Sequence, residues 1–397
     1  MKKDAERVRI SVRGEMKNKT KIVSIFIFFF IFMMFVSCGQ KQDKAERIIE
    51  DGVEVVINNL EPYKIKGEPS NLLLEEELSI DTESKEIEET GLVDIDYFDI
   101  DSEGNIYIVN IVSTEPEYKL VLKFDRKGKF ISSFGRKGQG PGEVQFVLYF
   151  GIDSQDRIII SDHRNKKVLF FSKDGGLIKE RAYGLYFNSM FPLENEKYLF
   201  IRNLTDLENN STSRSLRICN SRFEGRKELD TYLLYDPSRG MQVVSDIFEW
   251  RIFNRNIYAA NDQRGYEILM YDLDGNLRRK IKKEYTPLKY PEDLKKRYIE
   301  RYGTTRKIYI PDNLPPFQSF FGDDEGRLFV MTYEKGEKPG EYVFDVFNSE
   351  GVFILRKNLI ILNNWELQAK AKRGHLYCVR EKESGYKELV VYKMRWE

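Results

Sequence analysis

Two histidines, three cysteines and a scatter of carboxylates are what this 397-residue chain offers for building an active centre. His163 lies in SDHRNKK and His375 in RGHLYCV, stretches read here as belonging to nearly opposite parts of the fold. A catalytic zinc takes three protein ligands and an open position, so two separated histidines point to a loop and a strand end. Cys219 and Cys378 are too far apart in sequence, and too isolated, to suggest a disulfide framework or a metal knuckle; both read as buried thiols. Asp99, Asp153, Glu194, Asp246 and Asp323 could supply the six to eight oxygens that calcium demands. The aspartates of FDIDSEGN and FGDDEGR, however, suit the capping of turn amides. The stretch FGRKGQGPGEV (134–144) has the glycines of a phosphate cradle, but a P-loop needs Gly-Lys-Ser/Thr entering a helix. Here Gly142 leads into the β-forming VQFVLYFGID, and Pro141-Gly142 suits the centre of a type II turn. The serine elbow Gly-x-Ser-x-Gly does not occur.

The elements around these residues repeat. A turn followed by alternating β-formers appears six times: EGNIYIV, QDRIIIS, NEKYLFI, NRNIYAA, EGRLFVM and RGHLYCV, starting at Glu103, Gln155, Asn195, Asn254, Glu325 and Arg373. Downstream come FDRKGKF, FSKDGGL, a degraded CNSRFEGRK, YDLDGNL and FNSEGVF. Their glycines, Gly128, Gly175, Gly225, Gly275 and Gly351, are spaced by 47, 50, 50 and 76 residues. Such glycines fit tight turns that demand positive φ, and the spacing fits blades of a propeller. The sixth unit ends in KELVVYKMRWE with no fourth strand after it. VEVVINNL (53–60), or LLLEEELSI just beyond, is therefore expected to complete it. The expected fold class is all-β: a six-bladed β-propeller of four-stranded blades, an N-terminal strand closing the last blade, and one helical insert. The insert is PEDLKKRYIERY, with proline at its start, acids in its first turn and Leu294, Tyr298 and Tyr302 on one face.

Composition separates the N-terminus from the rest. Residues 1–37 hold eight Lys/Arg against three Asp/Glu, leaving 56 bases and 61 acids beyond, a weakly acidic balance that argues against a nucleic-acid partner. MKNKTKIVSIFIFFFIFMMFVSCGQ runs from lysines through an apolar core to Ser37-Cys38-Gly39, the three parts of a signal peptide in order. The expected organisation is a signal peptide over 1–37 (with 1–15 upstream of the more natural start at Met16), a tether over 38–52 and the propeller over 53–397.

Phe35-Val36-Ser37-Cys38 resembles a bacterial lipobox, which implies lipidation of Cys38 and anchoring to a membrane of the cell envelope, the outer membrane being favoured. GIDSQDRIIISDHRNKKVLFFSKDGGLI (151–178) resembles an NHL-type repeat. Together with the lipobox, the insert and LPPFQSFFGDDEGRLFVM, the chain is similar to the six-bladed β-propeller lipoproteins common in Bacteroidota. The resemblance implies fold and envelope location, and supplies no reaction. Related propeller lyases gather several histidines around zinc, more than this chain has. Gluconolactonase-like propellers hold calcium on the axis, which makes a calcium-dependent lactonase or hydrolase the alternative function, with Ca²⁺ its cofactor. The preferred reading is a binding or scaffold module for a glycan, peptide or envelope protein, with no cofactor and no metal residues assigned. Its expected contacts are Phe146, Tyr149, His163, Arg164, Phe187, Trp250, Phe317 and Trp365, placed on the face of inter-blade segments and long loops.

Overall fold

The structure, a computed structural model, describes residues 44–111, 119–183, 189–194, 196–222, 224, 227–242, 247–303, 307–362 and 367–397. Cys38 and the signal sequence, Phe187, Asp246 and Trp365 lie outside the described residues. Each of the six repeat units forms an antiparallel sheet. Blade I consists of Tyr97–Ile100, Ile106–Val109, Val121–Phe124 and Phe130–Phe134. Blade II follows with Val147–Ile152, Ile158–Asp162, Lys167–Phe171 and Leu177–Ala182. Blade III has Ser189–Pro192, Tyr198–Asp206, Ser211–Cys219 and Lys227–Asp236, and blade IV has Phe248–Phe253, Asn256–Asn261, Glu267–Asp272 and Leu277–Lys283. Blade V is Ser319–Gly322, Leu328–Lys335, Glu341–Phe347 and Phe353–Ile360. In blade VI, Ala369–Lys372, His375–Glu381 and Lys387–Trp396 are joined by Leu72–Asp81 from the other end of the chain.

That last pairing closes the ring. Leu72 lies opposite Trp396 and Asp81 opposite Glu388, and Glu397 exchanges backbone hydrogen bonds with Asn71. Of the two candidate closing segments it is LLLEEELSI that does so. Val53–Asn58 instead runs parallel to Leu277–Lys283 and widens blade IV, with Glu46–Glu50 turning back beside it. The turn between them is Asp51-Gly52, both at positive φ, as a two-residue hairpin requires. The stretch assigned to a tether therefore already contains a strand at Glu46–Glu50. Asn58, fully buried, fixes this segment: its side chain donates to the carbonyls of Lys282 and Gly351 and accepts from the Phe353 amide.

The core is divided among the junctions between neighbouring blades, with one apolar cluster at each of the six, VI against I included. The two thiols fall in different junctions, Cys219 between II and III and Cys378 between V and VI, both buried. Turn glycines serve these junctions twice over. Gly175 has φ +84, and a Cβ there would sit 2.5 Å from the Phe134 ring of blade I. The turn aspartates behave as capping residues: Asp101, Asp153 and Asp323 each accept from amides two and four residues on.

The insert forms a helix, Glu292–Tyr302, with Pro291 at its N-cap and Leu294, Tyr298 and Tyr302 half-buried along one side. Its return strand Ile308–Tyr309 pairs with Gly240–Gln242 beyond the outer strand of blade III, which puts the insert on the outside of the ring.

Candidate functional site: the axial cavity

Antiparallel connectivity gives the ring two faces. Turns between first and second, and third and fourth, strands lie on one (the turn face); the longer second-to-third and inter-blade connections lie on the other (the loop face). The glycine-rich stretch is on the loop face and is a turn. Gly142 has φ +74 and the Glu143 amide donates to the Gly140 carbonyl at 3.1 Å. The Glu143 carboxylate accepts from the Gly140 amide at 2.9 Å, so the chain's own anion occupies the cradle that the glycines build. KPGEY repeats the device: Glu341 accepts from the amides of Glu337 and Lys338.

Phe146, His163 and Arg164 come together on the loop face of blade II. Phe146 is exposed, its ring is 6.2 Å from the His163 imidazole in an edge-on arrangement, and Arg164 is exposed beside them. Buried Asp162 organises this corner by accepting from the amides of Gln145, Phe146, Arg164 and Asn165. Phe317 is not a surface residue. It is wholly buried between blades IV and V, 5.5 Å from the Tyr266 ring, because the proline run before it drops the chain into that junction. His163 and His375 sit in blades II and VI, which flank blade I and are not opposite; what separates them is the face, loop for His163 and turn for His375. His375 has its Nε2 3.0 Å from Glu77 and its Nδ1 2.9 Å from the Arg373 carbonyl.

Tyr149 and Trp250 belong elsewhere, with Phe191, which sequence reasoning missed. The three come from the innermost strands of blades II, III and IV. Their ring centroids are 5.0 Å (Tyr149–Phe191), 4.3 Å (Phe191–Trp250) and 6.3 Å (Tyr149–Trp250) apart. Tyr149 folds back along its own strand over Gly151, a position where any Cβ would meet the phenol.

Of the three rings, Tyr149 lines a cavity of about 630 Å³ on the ring axis, bounded by the innermost strands of all six blades. Of its exposed rim residues, Gln155, Glu196, Asn254, Arg255 and Asp324 are on first-to-second-strand turns, and Lys179 is near the start of the fourth strand of blade II. The cavity thus opens on the turn face, opposite the long loops from which recognition was expected. In blade IV the rim turn is Asn254-Arg255, both at positive φ.

The most buried charge in the lining is Asp99. Its carboxylate is 2.7 Å from the Lys372 ammonium and 3.2 Å from that of Lys370, and accepts from the amides of Ile100 and Ile152. One side chain so ties blade VI to I and I to II. The lysines come from AKAK (369–372), in which the alanines face blade V and the lysines reach blade I; that alternation of small and basic residues was the available signal. Burial would raise the Asp99 pKa, but the two lysine charges and the hydrogen bonds from Lys372 and Ile100 outweigh it and hold the group at about 2, below the ordinary 3.8. Because the folded-state value is depressed, the stabilisation is present above the ordinary value. It is lost as pH falls towards 2, and amounts to something on the order of 2 kcal/mol. Asp99→Asn is therefore expected to be less stable than wild type at pH 6, with the gap closing as pH falls from about 4 to 2. Urea unfolding across that range checks this; a gap independent of pH would refute it.

The remaining inner acids also face bases. Asp153 pairs with Arg157 at 2.6 Å, Glu194 with Arg255 at 2.9 Å and Asp323 with Arg327 at 3.1 Å. A calcium on the axis would need these carboxylates turned inward together, each freed of its cation, so the candidate carboxylates among the described residues do not fit one. Among the described residues no group of three or more His, Cys, Asp or Glu side chains could hold a metal ion. Burial pushes the Cys378 thiol up to about 12, far from the range of a reactive cysteine.

Residues 94–284, spanning blades I to IV, match the family model described as 6-bladed beta-propeller, DUF5128. The chain is a six-bladed β-propeller. No curated protein matches it in sequence. Among solved structures it is similar to a Bacteroides fragilis protein described as exported, at 12% identity and a TM-score of 0.51, covering 86% of this propeller's chain and 99% of the other. A member of the DUF4221 family from Bacteroides vulgatus gives 12% identity and a TM-score of 0.50 over 83% and 100% of the two chains. A gluconolactonase of Xanthomonas campestris gives 13% and 0.39 over 75% and 85%. At such identities the likeness is one of fold.

Proposed function

We propose that this propeller is a lipid-anchored binding module of the bacterial cell envelope, and that its ligand enters the axial cavity from the turn face. The cavity carries the reading: about 630 Å³, in the size range of small-molecule sites, with Tyr97, Tyr149 and Phe253 in its lining and charged turns at its rim. Envelope location is supported by the lipobox-like FVSC ending at Cys38 and by the fold shared with a protein described as exported. A binding role is favoured over the lactonase alternative because the inner carboxylates are committed to lysines and arginines.

The anchor and the cavity are tested separately. Cys38→Ser is expected to release the protein from the membrane fraction and abolish labelling by a palmitate analogue; a variant that stays membrane-bound would overturn the anchor. For the cavity, a screen of small polar solutes against the soluble domain is expected to raise the melting temperature, since a ligand that binds only the native state stabilises it by mass action. Turnover of lactones or esters above background would overturn the non-catalytic reading.

A further inference from the structure

We propose that the axial cavity selects a small oxyanion-bearing ligand, a carboxylate or a phosphate, and that Lys370 and Lys372 hold its charge; this rests on the reading of the cavity as the binding site. The argument is one of charge stoichiometry. Arg157, Arg251, Arg255 and Lys197 each have their own carboxylate, in Asp153, Glu249, Glu194 and Asp274, and the exposed Lys179 lies over the Phe170 ring of blade II. Lys370 and Lys372 share one, Asp99, at 3.2 and 2.7 Å, which leaves one positive charge in excess on the cavity wall. Both lysine side chains are about a third exposed to the cavity, at 33% and 30%, while the aspartate they share is buried.

Donor counting agrees. An ammonium group has three N–H bonds. Lys372 donates to Asp99 and to the Ile100 carbonyl at 3.0 Å, and Lys370 contacts Asp99 alone among the described residues. The pair therefore keeps N–H groups with no protein acceptor, set side by side one strand-repeat apart and aimed by a common counter-ion. Ammonium groups act on carboxylate and phosphate oxygens as point charges, so this feature selects the oxyanion and not its parent acid. The opposing charges, Glu196 and Asp324, are exposed at the rim, where solvent screens them. The excess charge stands out because the chain beyond residue 37 is acidic as a whole.

The experiment compares three probes of matched size by calorimetry on the soluble domain: glucuronate, glucose 6-phosphate and glucose. At least one of the two anions is expected to bind, to bind more weakly as salt is raised, and to exceed glucose by about tenfold or more. Lys370→Gln should remove about tenfold of that affinity with a lesser loss of melting temperature than Asp99→Asn, because Asp99 and Lys372 remain as a one-to-one pair. Lys370→Arg, which keeps the charge, should retain most of the binding. Which anion binds more tightly distinguishes a carboxylate ligand from a phosphate one. Glucose binding as well as the anions, with Lys370→Gln indifferent, would overturn the charge selection and leave the cavity standing as a binding site. If none of the three binds at millimolar concentration, the inference falls and the binding-cavity reading falls with it.

Discussion

Asp345→Ala is expected to cost the protein about 3–5 kcal/mol of stability, the cost of stranding a buried charge. Asp345 lies on the third strand of blade V with its side chain 2% exposed, and it receives groups from two blades. The Lys283 ammonium of blade IV, itself 5% exposed, is 3.4 Å away; the Arg356 guanidinium is at 3.1 Å and the Tyr266 hydroxyl donates at 2.8 Å. Lys283 also lies over the Phe353 ring at 4.6 Å, so without Asp345 its charge would face mainly apolar surroundings. Burial already holds the Lys283 pKa below the ordinary 10.5, with Asp345 pulling it back up. Removing the aspartate lowers it further. A folded-state pKa below the unfolded one means that the unfolded chain binds more protons, so the variant should gain stability as pH rises from 7 towards 10, more steeply than wild type. Lys283→Met with Asp345→Leu should recover much of the loss, since an apolar pair needs no counter-charge. Chemical denaturation at two pH values checks both points. A loss under about 1 kcal/mol, or no recovery in the double variant, would mean that charge is not what joins these blades.

Both buried networks at blade junctions show what a sequence can and cannot disclose. The second strand of every blade was legible because it is local: a turn, then apolar residues buried on both faces, as in Ile106–Val109 and Ile158–Asp162. The partners of Asp99 and Asp345 were not legible, because Lys370 and Lys372 lie some 270 residues from Asp99 and meet it only once the ring is closed. The same holds for Val53–Asn58. Its alternation announced a strand, but its neighbour, Leu277–Lys283, is specified by tertiary packing and by Asn58 reaching Gly351, not by any nearby pattern. Glu46–Glu50 was hidden for a different reason: ERIIE sits at the sheet edge, so its charged residues face solvent and mimic a linker.

The cavity lies on the face opposite the one the sequence drew attention to, for a related reason. Loop length and aromatic content drew attention to the loop face, where exposed Phe146 does lie beside half-buried His163. The cavity mouth is made instead by short turns, such as Asn254-Arg255, that were read only as markers of the repeat. Tyr149 reaches the cavity from an innermost strand with Trp250 packed near it, and Phe317 does not because its strand start is covered by Tyr266. The glycine-rich stretch was readable as a turn from sequence alone, since Pro-Gly sets its centre, whereas the Glu143 carboxylate that fills its cradle was disclosed by the structure.

Gly175→Ala is expected to destabilise the propeller by about 3 kcal/mol, roughly three times the cost of the same change at Gly385. The comparison isolates one cause, because the two glycines share a φ of +84. At Gly385 a Cβ would meet nothing within 4 Å, so alanine there bears only the left-handed backbone cost of about 1–2 kcal/mol, partly offset by a stiffer unfolded chain. At Gly175 the Cβ would also stand 2.5–2.7 Å from three carbons of Phe134, on the outermost strand of blade I. Phe134 cannot easily withdraw, being buried against Phe171 with centroids 5.5 Å apart. Phe134→Leu should therefore be worth less destabilisation in the Gly175→Ala background than alone, a coupling of about 1 kcal/mol or more for residues in direct contact. Thermal and urea unfolding of the four variants measure it. Equal losses at Gly175 and Gly385, or additive effects with Phe134, would show that the turn glycine is there for its φ alone and that the blades are held together by their strands.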